Sequence, residues 1–215
     1  MNKSVLFSFL TFSFLFSFGQ EKLQYKIGDF VQGGVIFWLD QTGQHGLVCA
    51  TSNQGSNIPW DTEIDFKGDA QFPPDRDTKS VAIYDGVYAG KKNTEAILKF
   101  VNKRDKLFAA LICDDFVMTQ DSFVYDDWYL PSREELNMLY LNREIINEVA
   151  NKNGGESFDR KSYWSSTDVD CSEKPYCYID KVHLAWGHNF SLGGKTKQSP
   201  SKKYMPYLVR AIRSF

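Results

Sequence analysis

The sequence predicts an α+β fold: two helices packed on small antiparallel sheets, with a long loop-rich insertion between them and the first strands. Two observations carry this. The order of patterns is a hairpin, an irregular stretch, two helical runs, and then several short strands. Helices grouped before strands argue against the strand–helix alternation of a parallel sheet. The composition, 42% hydrophobic and 24% charged with a net charge of −2 over 215 residues, is that of an ordinary globular chain. That balance excludes a generally basic nucleic-acid binder.

The first element is read as a secretory signal, residues 1–19, followed by one domain, 20–215. Lys3 precedes an apolar run from Val5 to Phe18, and Ser17 and Gly19 are small residues at the expected cleavage positions. No other stretch approaches about 18 consecutive apolar residues, so no stable membrane insertion is expected after cleavage. The expected location is the periplasm, the cell surface or the medium.

Within the domain, "GGVIFWLDQTGQHGLVCA" (33–50) reads as a hairpin of largely buried strands around a polar turn. Residues 51–92 are irregular, and long ordered loops often carry function. Thr94 to Phe116 reads as helix, capped by Asn93 or Thr94, with "NKRDK" marking a kink or a division into two. A second helical pattern runs from Ser132 through Val149 to a stop at "NKNGG". The segments "SYWSSTD", "KVHLAWGHNFSLGG" and "YLVRAIRSF" read as strands, although neither face of the last is purely apolar.

Between the helices lies "DDWYLPSREEL", residues 126–136, with four carboxylates. Two of them are explained by helix initiation. Ser132 and Glu135 form an S-x-x-E capping box, and both Glu134 and Glu135 sit where the helix dipole favours negative charge. Asp126 and Asp127 are left open. With Asp114 and Asp115 they are the candidate acids of an enzyme, or ligands of calcium.

"DWYLPSREELNMLY", "YWSSTD", "AWGHNFSLGG" and "VRAIRSF", with "YKIGDFVQGGVIFWLDQTGQHGLVCA" and "AALICDDF", resemble the Lcl C-terminal domain family, a bacterial group named from a collagen-like adhesin. The resemblance spans nearly the whole chain after residue 19. It implies a C-type-lectin-like fold with paired N- and C-terminal strands, in which Trp128, Leu130, Trp164 and Trp186 are framework. The opening is also similar to that of formylglycine-generating enzymes. Two departures limit what carries over. Trp164 is followed by Ser165 and Ser166 instead of an Asn-Asp pair, which removes calcium-dependent sugar binding. Cys171 and Cys177 do not match a reactive late-strand pair, which removes the enzyme activity.

Export makes the four cysteines readable as disulfides. Cys171 and Cys177 bracket a short loop and form the natural pair; Cys49 and Cys113 are then partners or buried thiols. The spacing matches no usual zinc finger. "DTEIDFKGDAQF" lacks the Gly and Glu of an EF-hand, at Phe66 and Phe72. It reads by default as an exposed acidic loop, with a looser calcium site at Asp61, Asp65, Asp69 or Asp75 as the alternative; no other cofactor is expected. His183 and His188 point to opposite faces of a strand and do not share a metal. Trp186, His188 and Asn189, near a hairpin tip, are candidate ligand contacts. Lys195, Lys197, Lys202 and Lys203 form a local basic stretch suited to acidic glycans or an anionic surface, with a solvated loop as the plain reading. There is no nucleophile motif, phosphate loop or dinucleotide fingerprint.

These readings combine into an expectation: an exported, non-catalytic bacterial module that binds a glycan or a cell-surface protein. A structural part of an envelope assembly, or an enzyme built on the four aspartates, are the alternatives.

Overall fold

The computed structural model describes residues 24–61, 80–102, 104–170, 184–191 and 198–215. The fold is mixed α+β, with four helices and several small, mainly antiparallel sheets among these residues.

The hairpin forms as its pattern predicts. A short strand β1 (Phe30–Val31) leads into β2 (Gly34–Leu39), which pairs antiparallel with β3 (Gly46–Cys49). Every residue of β3 is buried, so both faces of this sheet are covered. The turn is built by Asp40, whose carboxylate accepts from the Thr42 N–H at 3.0 Å and the Thr42 hydroxyl at 2.7 Å. At Gly34 a Cβ would lie 2.4 Å from the Cys49 carbonyl oxygen, so only glycine fits. A further strand, β4 (Gly55–Ile58), follows.

The first helical run is two helices, α1 (Ala89–Val101) and α2 (Ala109–Asp114), divided at the "NKRDK" interruption. The expected cap at Asn93 or Thr94 is not where the helix begins. Tyr88 starts it from the left-handed region, at φ 66°, without a side-chain cap. Asn93 and Thr94 are buried inside α1 and used for tertiary bonds. The Asn93 amide donates to the Tyr84 carbonyl at 2.7 Å, and Thr94 Oγ1 accepts from the Leu130 N–H at 3.1 Å. Cap-type residues read from sequence thus serve as interior connectors here.

A small hairpin of β5 (Met118–Gln120) and β6 (Phe123–Tyr125) precedes the second helical run. That run also divides, into α3 (Arg133–Leu141) and α4 (Arg143–Lys152), with Gly154 at φ 78° just beyond its end. The capping box is formed. Ser132 Oγ accepts from the Glu135 N–H at 3.2 Å, and Glu135 Oε2 accepts from the Ser132 N–H at 2.7 Å. Glu135 is also fully buried and accepts from Tyr88 N–H at 2.7 Å and Gly90 N–H at 3.2 Å. It therefore joins the start of α1 to the start of α3.

The strands β7 (Ser162–Asp168), β8 (Leu184–Asn189), β9 (Gln198–Lys202) and β10 (Tyr207–Val209) make a second sheet in the order β4-β10-β7-β8-β9. The last strand, β11 (Ile212–Ser214), crosses to the first sheet and pairs antiparallel with β3. The C-terminal strand thus closes on the second strand of the hairpin, while β1 pairs with β2. The mixed faces of "YLVRAIRSF" have a cause. Arg210 is buried, donating to Asn53 Oδ1 and the Ala50 carbonyl at 3.0 Å each, with its guanidinium 4.4 Å from the Phe158 ring centre.

Two apolar clusters fill the interior, one around Trp128 and Trp164, the other around Tyr129, Tyr163 and Phe190. Cys113 belongs to the first and Cys49 to the second. Both are free buried thiols, so the disulfide reading of this pair is corrected: they pack in different clusters. Burial pushes the Cys49 thiol up to about 12 and raises Cys113 as well. Cys171 and Cys177 lie outside the described residues.

Replacing Glu135 by Gln should test how much this junction holds. The amide can accept at one oxygen only and turns its own NH2 toward N–H donors. Chemical denaturation should show a loss of about 2–3 kcal/mol, the cost of unsatisfied buried donors; a loss under about 0.5 kcal/mol would contradict the assignment.

Candidate functional site

The strand β8 sorts the expected ligand contacts into different environments. Trp186 is partly buried, and the Arg133 guanidinium lies 3.7 Å from its ring centre. Arg133 is itself fixed, donating to Gln198 Oε1 at 3.0 Å while Gln198 Nε2 donates to the Arg133 carbonyl at 2.7 Å. The Arg133 side chain of the same chain thus stacks on this tryptophan.

His188 is fully buried, which corrects its reading as a ligand contact. Its ring centre is 4.5 Å from that of Tyr140 and 5.2 Å from that of Phe190, and neither ring nitrogen has a hydrogen-bond partner among the described residues. Burial, with the nearby Arg143 charge, pushes its pKa down to about 4. It is a neutral interior residue.

Asn189, one position on, lines a concave site of about 310 Å³. The site forms where four strands of the second sheet end together. Ser162 is opposite Asn189, and Tyr207 opposite Ile58, in the strand register. The walls are Ser56 and Asn57 at the end of β4, Lys161 and Ser162 at the start of β7, Asn189, and the turn into β10 at Pro206, Tyr207 and Leu208. Asn57 takes the left-handed conformation, φ 57°, which asparagine tolerates at a strand end.

The tyrosine is held firmly. Its ring centre is 4.3 Å from that of Trp164, and its hydroxyl lies 2.9 Å from Ser201 Oγ. Gly187 makes room for it: a Cβ there would be 2.9 Å from Tyr207 Cε2. Trp164 is pinned in turn by its indole N–H, which donates to the Ile58 carbonyl at 2.9 Å. The Asn189 Oδ1 accepts from the Ser191 N–H at 2.8 Å, which orients the amide and leaves its NH2 without a partner among the described residues. The described residues of the wall carry an aromatic ring, two amides, two serine hydroxyls and one ammonium group, and no carboxylate is among them. This set can stack on a ligand and hydrogen-bond to it.

The two described lysines, Lys202 and Lys203, lie in different environments. Lys203 is buried, with its ammonium 3.0 Å from the Asp168 carboxylate and 4.0 Å from the Trp60 ring centre. Its reading as a ligand-binding lysine is corrected: it is part of the interior. Lys202 is exposed on β9, and Lys195 and Lys197 lie outside the described residues.

Three of the four candidate acids are held by arginines at two different places. Arg104 binds Asp114 at 3.0 Å and Asp115 at 3.1 Å at the surface, whereas Arg213 donates to Asp127 Oδ2 at 3.2 Å. Asp126 is exposed. Asp61 is buried; Asp65, Asp69, Asp75 and His183 lie outside the described residues. Among the described residues, no three His, Cys, Asp or Glu side chains are grouped to hold a metal ion.

Ser56, Asn57, Lys161, Ser162 and Tyr207 were not singled out from sequence. They belong to no contiguous motif, and only the strand register brings them together. The one signal was Asn189, at the tip of the aromatic-rich strand. No known family model matches the chain, and no curated protein matches it.

The buried histidine gives a pH test. The unfolded chain takes up the proton near 6.5, before the folded one does near 4, so this residue's contribution to stability falls as pH drops across that interval. Relative to His188→Phe, the wild-type protein should lose up to about 3 kcal/mol between those limits. Glu135, which burial raises to about 7, works in the opposite direction but is present in both proteins and cancels. Denaturation midpoints that run parallel for the two proteins would contradict a buried neutral His188.

Proposed function

We propose that the protein is an exported bacterial binding module of the cell envelope or surface that recognises a glycan, and that the ligand sits at the ends of β4, β10, β7 and β8. The observation that supports this reading is the wall of the concave site. Tyr207 supplies an apolar ring backed by Trp164, and Asn57, Asn189, Ser56 and Ser162 supply polar groups around it. Sugars present both apolar C–H faces and hydroxyls, which suits an aromatic ring set among amides and hydroxyls. Asp114 and Asp115 share Arg104 at the surface while Asp127 is held by Arg213, and this engagement of three of the four acids by arginines favours binding over catalysis. The resemblance to an adhesin's C-terminal domain and the signal-like first 19 residues support the same reading.

The test is a glycan array with the protein lacking residues 1–19, with and without calcium, followed by calorimetry on the best saccharide. Asn189→Ala should weaken binding about fivefold to tenfold, the value of one hydrogen bond. Tyr207→Phe keeps the ring and should retain most of the affinity, whereas Tyr207→Leu should lose it. No saccharide bound in either condition, or binding indifferent to these substitutions, would overturn the proposal.

A further inference from the structure

Among the described residues, the hairpin of β5 and β6 is a two-stranded sheet that joins neither larger sheet. Its turn, Asp121–Ser122, has φ 50° and 69°, the positive values of a tight type I′ connection. A lone hairpin is marginally stable, so this one needs anchors, and it has them. Met118 and Tyr125, opposite one another, pack against the first cluster. Gln120 accepts from the Gly33 N–H at 2.8 Å and donates to the Phe30 carbonyl at 3.2 Å.

Three further apolar side chains take no part in this anchoring. Phe123 is 66% exposed, Val124 63% and Val117 54%. Phe123 lies opposite Gln120 on one face of the hairpin, and Val124 opposite Thr119 on the other. The exposed groups therefore straddle β6 and do not form a flat face. A partner that touches both must approach along the strand edge, where backbone N–H and C=O groups point outward.

Charge narrows the partner. Asp121 and Asp126 bracket β6, are exposed, and have no ionic partner among the described residues. Of the neighbouring acids, Asp127 is paired with Arg213, and Asp114 and Asp115 share Arg104, which leaves that group one negative charge in excess. No Lys or Arg occurs from Phe116 to Ser132. The edge is thus apolar with unbalanced negative charge. A second copy of the same hairpin would bring the same two carboxylates and be repelled.

We infer that the β5–β6 edge is a docking site for an extended segment of another protein, one that alternates apolar residues with lysine or arginine and adds as a third strand. Main-chain bonds would supply affinity, and Asp121 and Asp126 would select the basic partner. The inference is independent of the saccharide site, which lies on the other sheet.

The probes are a short synthetic peptide alternating valine with lysine, and its counterpart with glutamate for lysine. Amide exchange and chemical shifts of the full protein are followed by NMR. The basic peptide should protect amides of Phe123–Tyr125, and the acidic one should not. Asp121→Asn with Asp126→Asn should weaken binding about tenfold, as should Phe123→Ser with Val124→Thr; all four residues are exposed, so the fold is retained. No perturbation by the basic peptide, or equal binding of the acidic one, would overturn the inference. So would self-association through the hairpin in sedimentation, since the occupant would then be a second copy.

Discussion

The carboxylate of Glu135 is the constraint on which the arrangement of the helices depends. It closes the α3 capping box and, with the same two oxygens, receives the backbone N–H groups of Tyr88 and Gly90 at the start of α1. Gly90 approaches so closely that a Cβ there would lie 2.4 Å from Glu135 Oε2. Burial raises the pKa of this group, and three N–H donors pull it back toward the charged form. One side chain thus satisfies orphan donors at the starts of two helices, which a buried helix end requires.

The segment that carries Glu135 is bound on several sides. Tyr129 exchanges two backbone bonds with Ile212 in β11, at 2.8 and 3.0 Å, and the Pro131 carbonyl accepts from Ser166 in β7 at 2.7 Å. Leu130 is held by Thr94 in α1. Residues 128–135 therefore link both sheets and both helical runs. The second sheet can then present its strand ends, with Asn57, Asn189 and Tyr207, as a rigid site, because Trp164 behind Tyr207 belongs to the same packed interior. Sites built on strands that are themselves locked by packing hold their geometry better than sites on loops alone.

Much of the fold was legible in the sequence because it follows short-range rules. The first hairpin, the division of the first helical run, the Ser132–Glu135 box and the stop at Gly154 each follow from local periodicity or turn chemistry, whereas the break between α3 and α4 carries no such signal and the run reads as one helix. The misreadings are tertiary. Asn93 and Thr94 look like caps, but bonds to Tyr84 and Leu130 place them inside α1. Lys203 reads as part of an exposed basic loop, yet Asp168 and Trp60 draw it inside. His188 sits beside Asn189 in the chain, but strand alternation sends one into an aromatic cluster and the other to a concave surface. The concave site was largely illegible because register, and no motif, assembles it from segments more than a hundred residues apart, from Ser56 to Tyr207.

The central claim is that ligand binds at the ends of these four strands and not at Trp186 or the exposed Lys202. Amide chemical shifts of the labelled protein, titrated with the best saccharide from the array, test this most directly. The account predicts that the largest shifts fall on Asn57, Ser162, Asn189 and Tyr207, with Trp186 and Lys202 unmoved. Shifts centred on Trp186, Arg133 and Lys202 would contradict it.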